Sequence, residues 1–187
     1  MKKLWGGRFE EKPSDITERL SVSVHFDKRL YRQDIRGSAA HAQMLCECGI
    51  ISPEDLSLII NGLNRIETEI ESGTFVFKES LEDVHMNIES CLTELIGDAG
   101  KRLHTARSRN DQIATDTRLY IKDEISKIKK ILIKLIEVLV DTAEKNTDIV
   151  MPGYTHLQVA QPVRFSHHIL AHAWALTRDY KRLENAF

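Results

Sequence analysis

The chain has 187 residues, enough for one domain with a real core, or for one small domain and part of another. Hydrophobic residues make up 42% and charged residues 29%, an ordinary balance for a soluble globular protein. A net charge of −2 and a pI of about 6.4 leave no basic field for nucleic acid or an anionic membrane. No run approaches the roughly 20 apolar residues a membrane span needs; Ile131 to Val140 is interrupted by Lys134 and Glu137. The opening MKKLWGGRFEEKP places two lysines before no apolar stretch, so no secretory leader is expected. Cys46, Cys48 and Cys91 then read as reduced thiols of a cytoplasmic protein.

In chain order, Gly6 and Gly7 predict a turn, flanked by Trp5 and Phe9, which pin the tail to the body. Ser14 and Asp15 can cap a short helix reaching Leu20. Ser21 to His25 alternates apolar and polar residues, as a short strand or an extended loop would. Leu30 to Cys48 predicts a helix with Tyr31, Ile35, Ala39 and Ala42 on one face, stopped by Gly49. Ser52, Pro53 and Glu54 open the next helix, which carries Leu56, Ile59, Ile60, Leu63 and Ile66 toward Ser72 and Gly73. Thr74 to Phe77 is an apolar patch of extended character, and Glu82 to Ile96 is a further helix ended by Gly97. Residues 1–112 are thus expected to form a small N-terminal helical domain.

Residues 113–187 differ in kind and are expected to begin a helical-bundle domain. Ile121, Ile125, Ile128, Leu132, Leu135 and Leu139 repeat as a coiled-coil seam in a helix from Ile113 to about Asn146. At about 1.5 Å per residue it would be on the order of 50 Å long, and Ile131, Ile133, Ile136, Val138 and Val140 widen its apolar stripe. A single further long helix, Val163 to about Phe187, cannot cover that surface, so other chains or further sequence must complete the bundle. Between them, Pro152 and Gly153 read as a turn and Pro162 as the first turn of the last helix. The fold class is all-α.

The densest chemistry lies in Leu103 to Gln112, LHTARSRNDQ, a cationic polar loop feeding a helix start. Unpaired first-turn amides, the helix dipole and the two-donor fork of arginine suit a carboxylate there. Asn110 can cap the helix, with Asp111 in its first turn. Composition alone favours the plainer reading, a capped helix start with solvated arginines. Asp83, His85 and Glu89 cluster at another helix start, where Asp83 can meet an arginine and His85 a substrate carboxylate. Among eight histidines, His156 stands out for proton transfer, because it lies between Thr155 and Gln158 on a connection rather than a helix face. His168 and His172 are spaced for a metal but lack a nearby acid or cysteine, and no metal or cofactor is expected.

Four segments, LWGGRF (4–9), EDVHMNIE (82–89), LHTARSRNDQ (103–112) and PGYTHLQVAQP (152–162), together resemble the argininosuccinate lyase family of the aspartase/fumarase superfamily. The family usually has Gly where Ala106 stands. The resemblance implies a homotetramer around a shared helical bundle, and cleavage of argininosuccinate to arginine and fumarate by anti β-elimination. It implies substrate contacts from Ser23, Asn110 and Thr155, a carboxylate-binding loop holding Ser108 and Arg109, proton transfer involving His156, and supporting roles for Asp27, Asp83 and His85. It also implies that three subunits build each site. The superfamily's serine-bearing loop (GSSxMPxKKNP) would lie beyond Phe187, so the chain is read as an N-terminal part that is inactive alone. Competing readings are another superfamily lyase, such as adenylosuccinate lyase, and a non-enzymatic, crystallin-like helical assembly.

Overall fold

Residues 14–187 are described in the structure, a computed structural model, and the side chains of Asp15, Glu18 and Arg19 are not. The expected Trp5–Phe9 anchor lies outside the described residues. The chain divides into two compact units, residues 1–118 and 119–187, with the boundary inside its longest helix.

In the first unit, α1 (Asp15–Ser21) begins where Ser14 Oγ accepts from the Thr17 amide at 3.3 Å. Instead of the strand or loop expected at Ser21–His25, the chain makes a one-turn helix, α2 (Val24–Asp27), that buries Val24. Alternation over five residues is too short to outweigh burial of one valine and the contacts Ser23 makes across the fold. A 3-10 turn (Lys28–Leu30) leads into α3 (Tyr31–Glu47). Helix α4 (Pro53–Glu71) starts as its sequence dictates: Ser52 Oγ accepts from the Asp55 amide at 3.1 Å, and Pro53 occupies the first turn, where no donor is needed.

Residues 74–77 make no ladder, and α5 (Val84–Ile96) follows a 3-10 turn (Glu79–Leu81). A short helix not anticipated from sequence, α6 (Asp98–Arg102), turns back against α5. Gly100 permits this approach, since a Cβ there would lie 2.9 Å from Thr93 Cα. The core of the unit is built from Ile35, Ala42 and Leu45 of α3, Ile59, Leu63 and Ile66 of α4, and Val84, Ile88 and Leu92 of α5. Full burial of each large aliphatic side chain contributes about 1.5–3 kcal/mol. Arg102 pairs with Asp55, tying α6 to α4.

The long helix predicted from the apolar repeat is α7 (Arg109–Lys145), 37 residues without interruption. In the second unit α8 (Phe165–Ala186) runs back along it: Lys129 Nζ reaches Glu184 Oε1 at 3.2 Å and lies over the Tyr180 ring, while Lys122 lies over Phe187. Ile125, Ala143 and Ala173 are buried, whereas Ile131 is 68% exposed, Val138 60% and Trp174 67%. Two helices leave much of the stripe uncovered, as their spacing requires. Among the described residues no helix is long and apolar enough to cross a membrane.

The connection between the two helices corrects the sequence reading. It is an antiparallel hairpin, β1 (Val150–Thr155) and β2 (Gln158–Arg164), the one sheet among the described residues. Pro152 and Gly153 do not turn the chain; Pro152 pairs with Pro162 in register, and Gly153 occupies an irregularity between Pro152 and Tyr154. A Cβ on Gly153 would lie 2.7 Å from the Gln161 carbonyl oxygen, so the crossing strand selects glycine. Pro162 is a strand residue, and α8 starts only at Phe165. Both prolines are tolerated because a two-stranded ribbon has only edge strands. The reversal is made by His156 and Leu157, with φ of 50° and 62°, the backbone pattern of a two-residue hairpin turn.

Candidate active site

The site in the first unit is assembled from a clamp, a capped helix start and a buried polar cluster. The clamp joins α2 to the chain before α5. The amides of Ser23 and Val24 both donate to the Glu82 carbonyl, each at 2.9 Å. Ser23 Oγ donates to Asp27 Oδ2 at 2.6 Å, and Asp27 Oδ1 accepts from the Val84 amide at 3.1 Å. Between these anchors Glu82 adopts φ 63° and ψ −63°, and the Asp83 amide closes onto the Leu81 carbonyl at 2.7 Å. That is a γ-turn of the rare positive-φ kind, a strained conformation. It delivers Asp83 as the N-cap of α5: Oδ1 accepts from the Met86 amide at 2.7 Å.

At the start of α7 the cap is Ser108 rather than Asn110. Ser108 Oγ accepts from the Asn110 amide at 3.2 Å, and Asp111 Oδ2 accepts from the Ser108 amide at 3.0 Å. The arrangement resembles a capping box, with aspartate in the place of glutamate and the serine on the second amide of the helix, not the third. Capping thus falls to Ser108, and Asn110 is exposed. The preceding loop is pinned by buried Leu103, by a His41 ring nitrogen 2.9 Å from the Thr105 carbonyl, and by Arg107 Nη1 donating to Ser38 Oγ at 2.9 Å. Ala106 has φ 56°, so a side chain occupies a left-handed position where glycine fits without strain.

Arg109 is partly shielded and has three neighbours. Nη1 donates to Gln112 Oε1 at 2.9 Å, Nη2 to Glu89 Oε2 at 3.4 Å, and Nε lies 3.5 Å from Asp83 Oδ2. Both carboxylate distances exceed the roughly 2.7–2.9 Å of a strong charged pair. A guanidinium has five N–H groups. These three contacts leave one N–H on each terminal nitrogen for a further acceptor such as a ligand carboxylate.

Beneath this surface Asp34, His85 and Asp116 are buried together, from α3, α5 and α7. His85 Nδ1 lies 3.0 Å from Asp34 Oδ1 and 3.5 Å from Asp116 Oδ2. Gln112 donates to Asp34 Oδ1. Burial pushes Asp34 upward, but His85, Gln112 and Arg107 outweigh it and hold the carboxyl below its usual range. Burial likewise opposes charge on His85, and Asp34 more than compensates, raising the imidazole. Asp116 is pushed up to about 7 by burial and then by the Asp34 charge, with His85 and Arg107 acting in opposition. His85 was expected to reach a substrate carboxylate; its ring instead faces this internal pair and is 2% exposed.

Ser23, Asp27, Asp83, His85 and Arg109 are therefore connected through contacts in one unit, with Ser108 and Asn110 at the adjoining helix start. Thr155 and His156 belong to the second unit, where both are exposed at the hairpin tip. Asp34, Gln112 and Asp116 were missed from sequence. Their signal was there: Asp34 and Ser38 stand four apart on the stripe that carries Ala42, and Gln112 and Asp116 four apart on α7, polar pairs where a core face calls for apolar ones.

Residues 7–187 match the family model described as Lyase. The chain is 57% identical over 181 residues to the argininosuccinate lyase of Hahella chejuensis, covering 97% of this chain and 39% of that protein. It is 55% identical over 183 residues to the argininosuccinate lyase of Geobacter metallireducens, covering 98% and 40%. The chain thus spans about 40% of the length of the curated relatives it matches. Among solved structures, an EDDS lyase in complex with formate superposes with a TM-score of 0.74 at 24% identity, over 91% of this chain and 33% of that one. A fumarate lyase/delta crystallin from Brucella melitensis gives 0.72 at 20% identity, over 88% and 42%. These two likenesses concern the fold. The match from residue 7 to residue 187 establishes that the chain belongs to the lyase family.

Proposed function

We propose that this chain is part of an argininosuccinate lyase, which cleaves argininosuccinate to arginine and fumarate by anti β-elimination. The observation that carries the reading is the 57% identity over 97% of the chain to a protein of that name. The geometry at α7 supports it. A dicarboxylate that loses a Cβ proton places its developing charge on the neighbouring carboxylate, and preorganised donors at that carboxylate lower the barrier. Arg109, with its two remaining N–H groups, and the positive end of a 37-residue helix are such donors. Ser108 shapes the loop, while Ser23, Asn110 and Thr155 contact substrate and His156 takes part in proton transfer. Asp27, Asp83 and His85 support them, Asp83 by holding Arg109 from its Nε side.

The site is completed between subunits of a cytoplasmic homotetramer, for which the exposed Ile131, Val138 and Trp174 are the available contact surface. Residues 1–112 form the N-terminal domain and 113–187 open the bundle domain of that assembly. The test uses a protein of the relatives' length that begins with these residues, supplied with argininosuccinate or adenylosuccinate while fumarate is followed by absorbance. Fumarate is expected from argininosuccinate alone. Arg109→Lys should chiefly raise KM, and His156→Asn should lower kcat about 100-fold or more. Turnover of adenylosuccinate in its place, or an unchanged His156→Asn enzyme, would defeat the reading.

A further inference from the structure

We propose that Asp34, His85 and Asp116 form a buried proton-sharing latch that acts through Gln112 to set the position of Arg109, making Asp34, Gln112 and Asp116 positioning residues. The proposal rests on the reading of Arg109 as the carboxylate-binding group. It starts from an anomaly. Asp116 is fully buried, and neither of its carboxylate oxygens has a hydrogen-bond partner. An ionised carboxylate in that state is strongly disfavoured. A proton on Asp116 removes the charge and supplies an O–H directed at its acidic neighbour.

The donors around the two acids decide which of them takes the proton, and Gln112 is one of those donors. Its amide nitrogen donates to Asp34 Oδ1 and its amide oxygen accepts from Arg109 Nη1 at 2.9 Å. A flipped amide would set oxygen against oxygen at Asp34 and donor against donor at Arg109. Only an accepting Asp34 Oδ1 holds Gln112, and hence Arg109, in the observed orientation. Two donors, Gln112 Nε2 and His85 Nδ1, converge on Asp34 Oδ1 and none reaches Asp116, so the charge rests on Asp34, His85 Nδ1–H lies between the two acids, and Asp116 carries the proton.

The groups facing Asp116 fit this state. They are Asp34 on α3, His85 on α5 and Arg107 from the loop before α7. Asp83 and Arg109 act on His85 in opposite senses. Gly37 leaves the space: a Cβ there would lie 3.2 Å from Asp116 Oδ1 and 3.7 Å from Arg107 Nη2. One ligand atom from each of Asp34, His85 and Asp116 lies within 4.8 Å of the others, a spacing that could also hold a cation. The neighbouring guanidinium and the Gln112 donor on Asp34 favour a proton instead.

The test follows the Asp116 carboxyl carbon, the His85 ring nitrogens and the Arg109 Nε–H resonance of the 187-residue chain by NMR as pH is raised. Asp116 is expected to titrate at least two pH units above an ordinary aspartate, with a step in the Arg109 resonance at the same midpoint. In the isosteric Asp116→Asn chain both steps should vanish while the spectrum stays folded. In Gln112→Leu the Asp116 step should remain and the Arg109 step disappear. An Asp116 that titrates as an ordinary aspartate, or an Arg109 resonance blind to it, overturns the latch. So does stoichiometric binding of added Zn²⁺ at His85 and Asp116, which would make the cluster a cation site. In the longer protein, Gln112→Leu should raise KM for argininosuccinate about tenfold with kcat nearly kept. A coupled titration in a protein that never cleaves argininosuccinate would sink the lyase reading and leave the latch standing; cleavage without the coupling would do the reverse.

Discussion

Replacing Asp116 by Asn should make the first unit more stable at mildly alkaline pH, an unusual outcome for loss of a buried charge partner. An aspartate with an ordinary value of 3.8 is raised to about 7 in the folded chain. The folded state therefore holds a proton that the unfolded chain has released, and stability falls as pH rises between about 4 and 7. Three pH units at about 1.4 kcal/mol each give at most about 4 kcal/mol lost by neutral pH. That is a large share of the roughly 5–15 kcal/mol typical of a domain. His85 adds to the trend, since its raised imidazole contributes stability that is complete below about 6.5 and lost as pH climbs through the folded value. Asp34 acts on the other flank: its lowered carboxyl stabilises above about pH 4 and ceases to as acid is added. Asparagine reproduces the neutral acid, with an N–H₂ to donate toward Asp34. The variant should match the wild type near pH 4.5 and exceed it near pH 8 by up to about 4 kcal/mol. Native-state hydrogen exchange of α3 and α5 amides measures this within the unit concerned. A variant that is weaker at pH 8, or whose stability keeps the wild-type slope between pH 5 and 7, refutes the account.

Substitutions at three further positions test the local geometry. Gly100→Ala puts a methyl 2.9 Å and 3.0 Å from the Thr93 Cα and N, backbone that cannot yield, and should cost roughly 1–3 kcal/mol in urea unfolding. Ala106→Gly relieves a left-handed alanine and should be neutral or stabilising by up to about 1 kcal/mol, whereas Ala106→Val should lose about 1 kcal/mol or more. A valine variant as stable as the wild type would show that the strain is absent. Gly153→Ala drives a methyl into the Gln161 carbonyl at 2.7 Å and should open the hairpin, seen as loss of cross-strand contacts between Tyr154 and Val159 by NMR. An intact ladder in that variant would mean the close approach is relieved without opening the strands.

Much of the helical architecture could be read from local chemistry. Ser52–Pro53 marks the start of α4 because cap and first-turn proline act within a few residues, and the seam from Ile121 to Leu139 announces α7 because periodicity accumulates with length. The hairpin was hidden for the opposite reason. Its turn uses His156 and Leu157 in place of the Asn-Gly or Asp-Gly pair that announces such a turn, while Pro152–Gly153 offers a turn signal that the facing strand converts into a strand irregularity. Of the site, the Arg109 pairing with Asp83 could be anticipated from two helix starts of opposite charge. Of the Asp34–His85–Asp116 cluster only the polar residues on core-facing stripes could be read; their meeting could not, because the partners come from three helices and their protonation follows from burial and from one another.

Where the described backbone departs from ordinary conformation, it does so beside the residues proposed to act. The non-glycine positions with positive φ are Glu82, Ala106, His156 and Leu157. Glu82 precedes Asp83, Ala106 lies two residues before Ser108, and the other two form the turn that displays Thr155 and His156. Each is held by contacts that do not depend on its own side chain. Two amides from Ser23 and Val24 fix the Glu82 carbonyl, His41 and Arg107 brace the loop around Ala106, and the Thr155–Gln158 pairing closes the tip. Such positions cost of order 1–3 kcal/mol each and persist where the surroundings over-determine them. Relaxing Glu82 would swing Asp83 away from Arg109 Nε, and relaxing Ala106 would move the Ser108 cap. The strain is therefore coupled to the orientation of Arg109 from two directions, the surface clamp and the helix cap. From below, Gln112 and the buried acids constrain the same guanidinium. A side chain this long would otherwise sample many rotamers; restrained at Nε and at both terminal nitrogens, it presents one fork to one carboxylate.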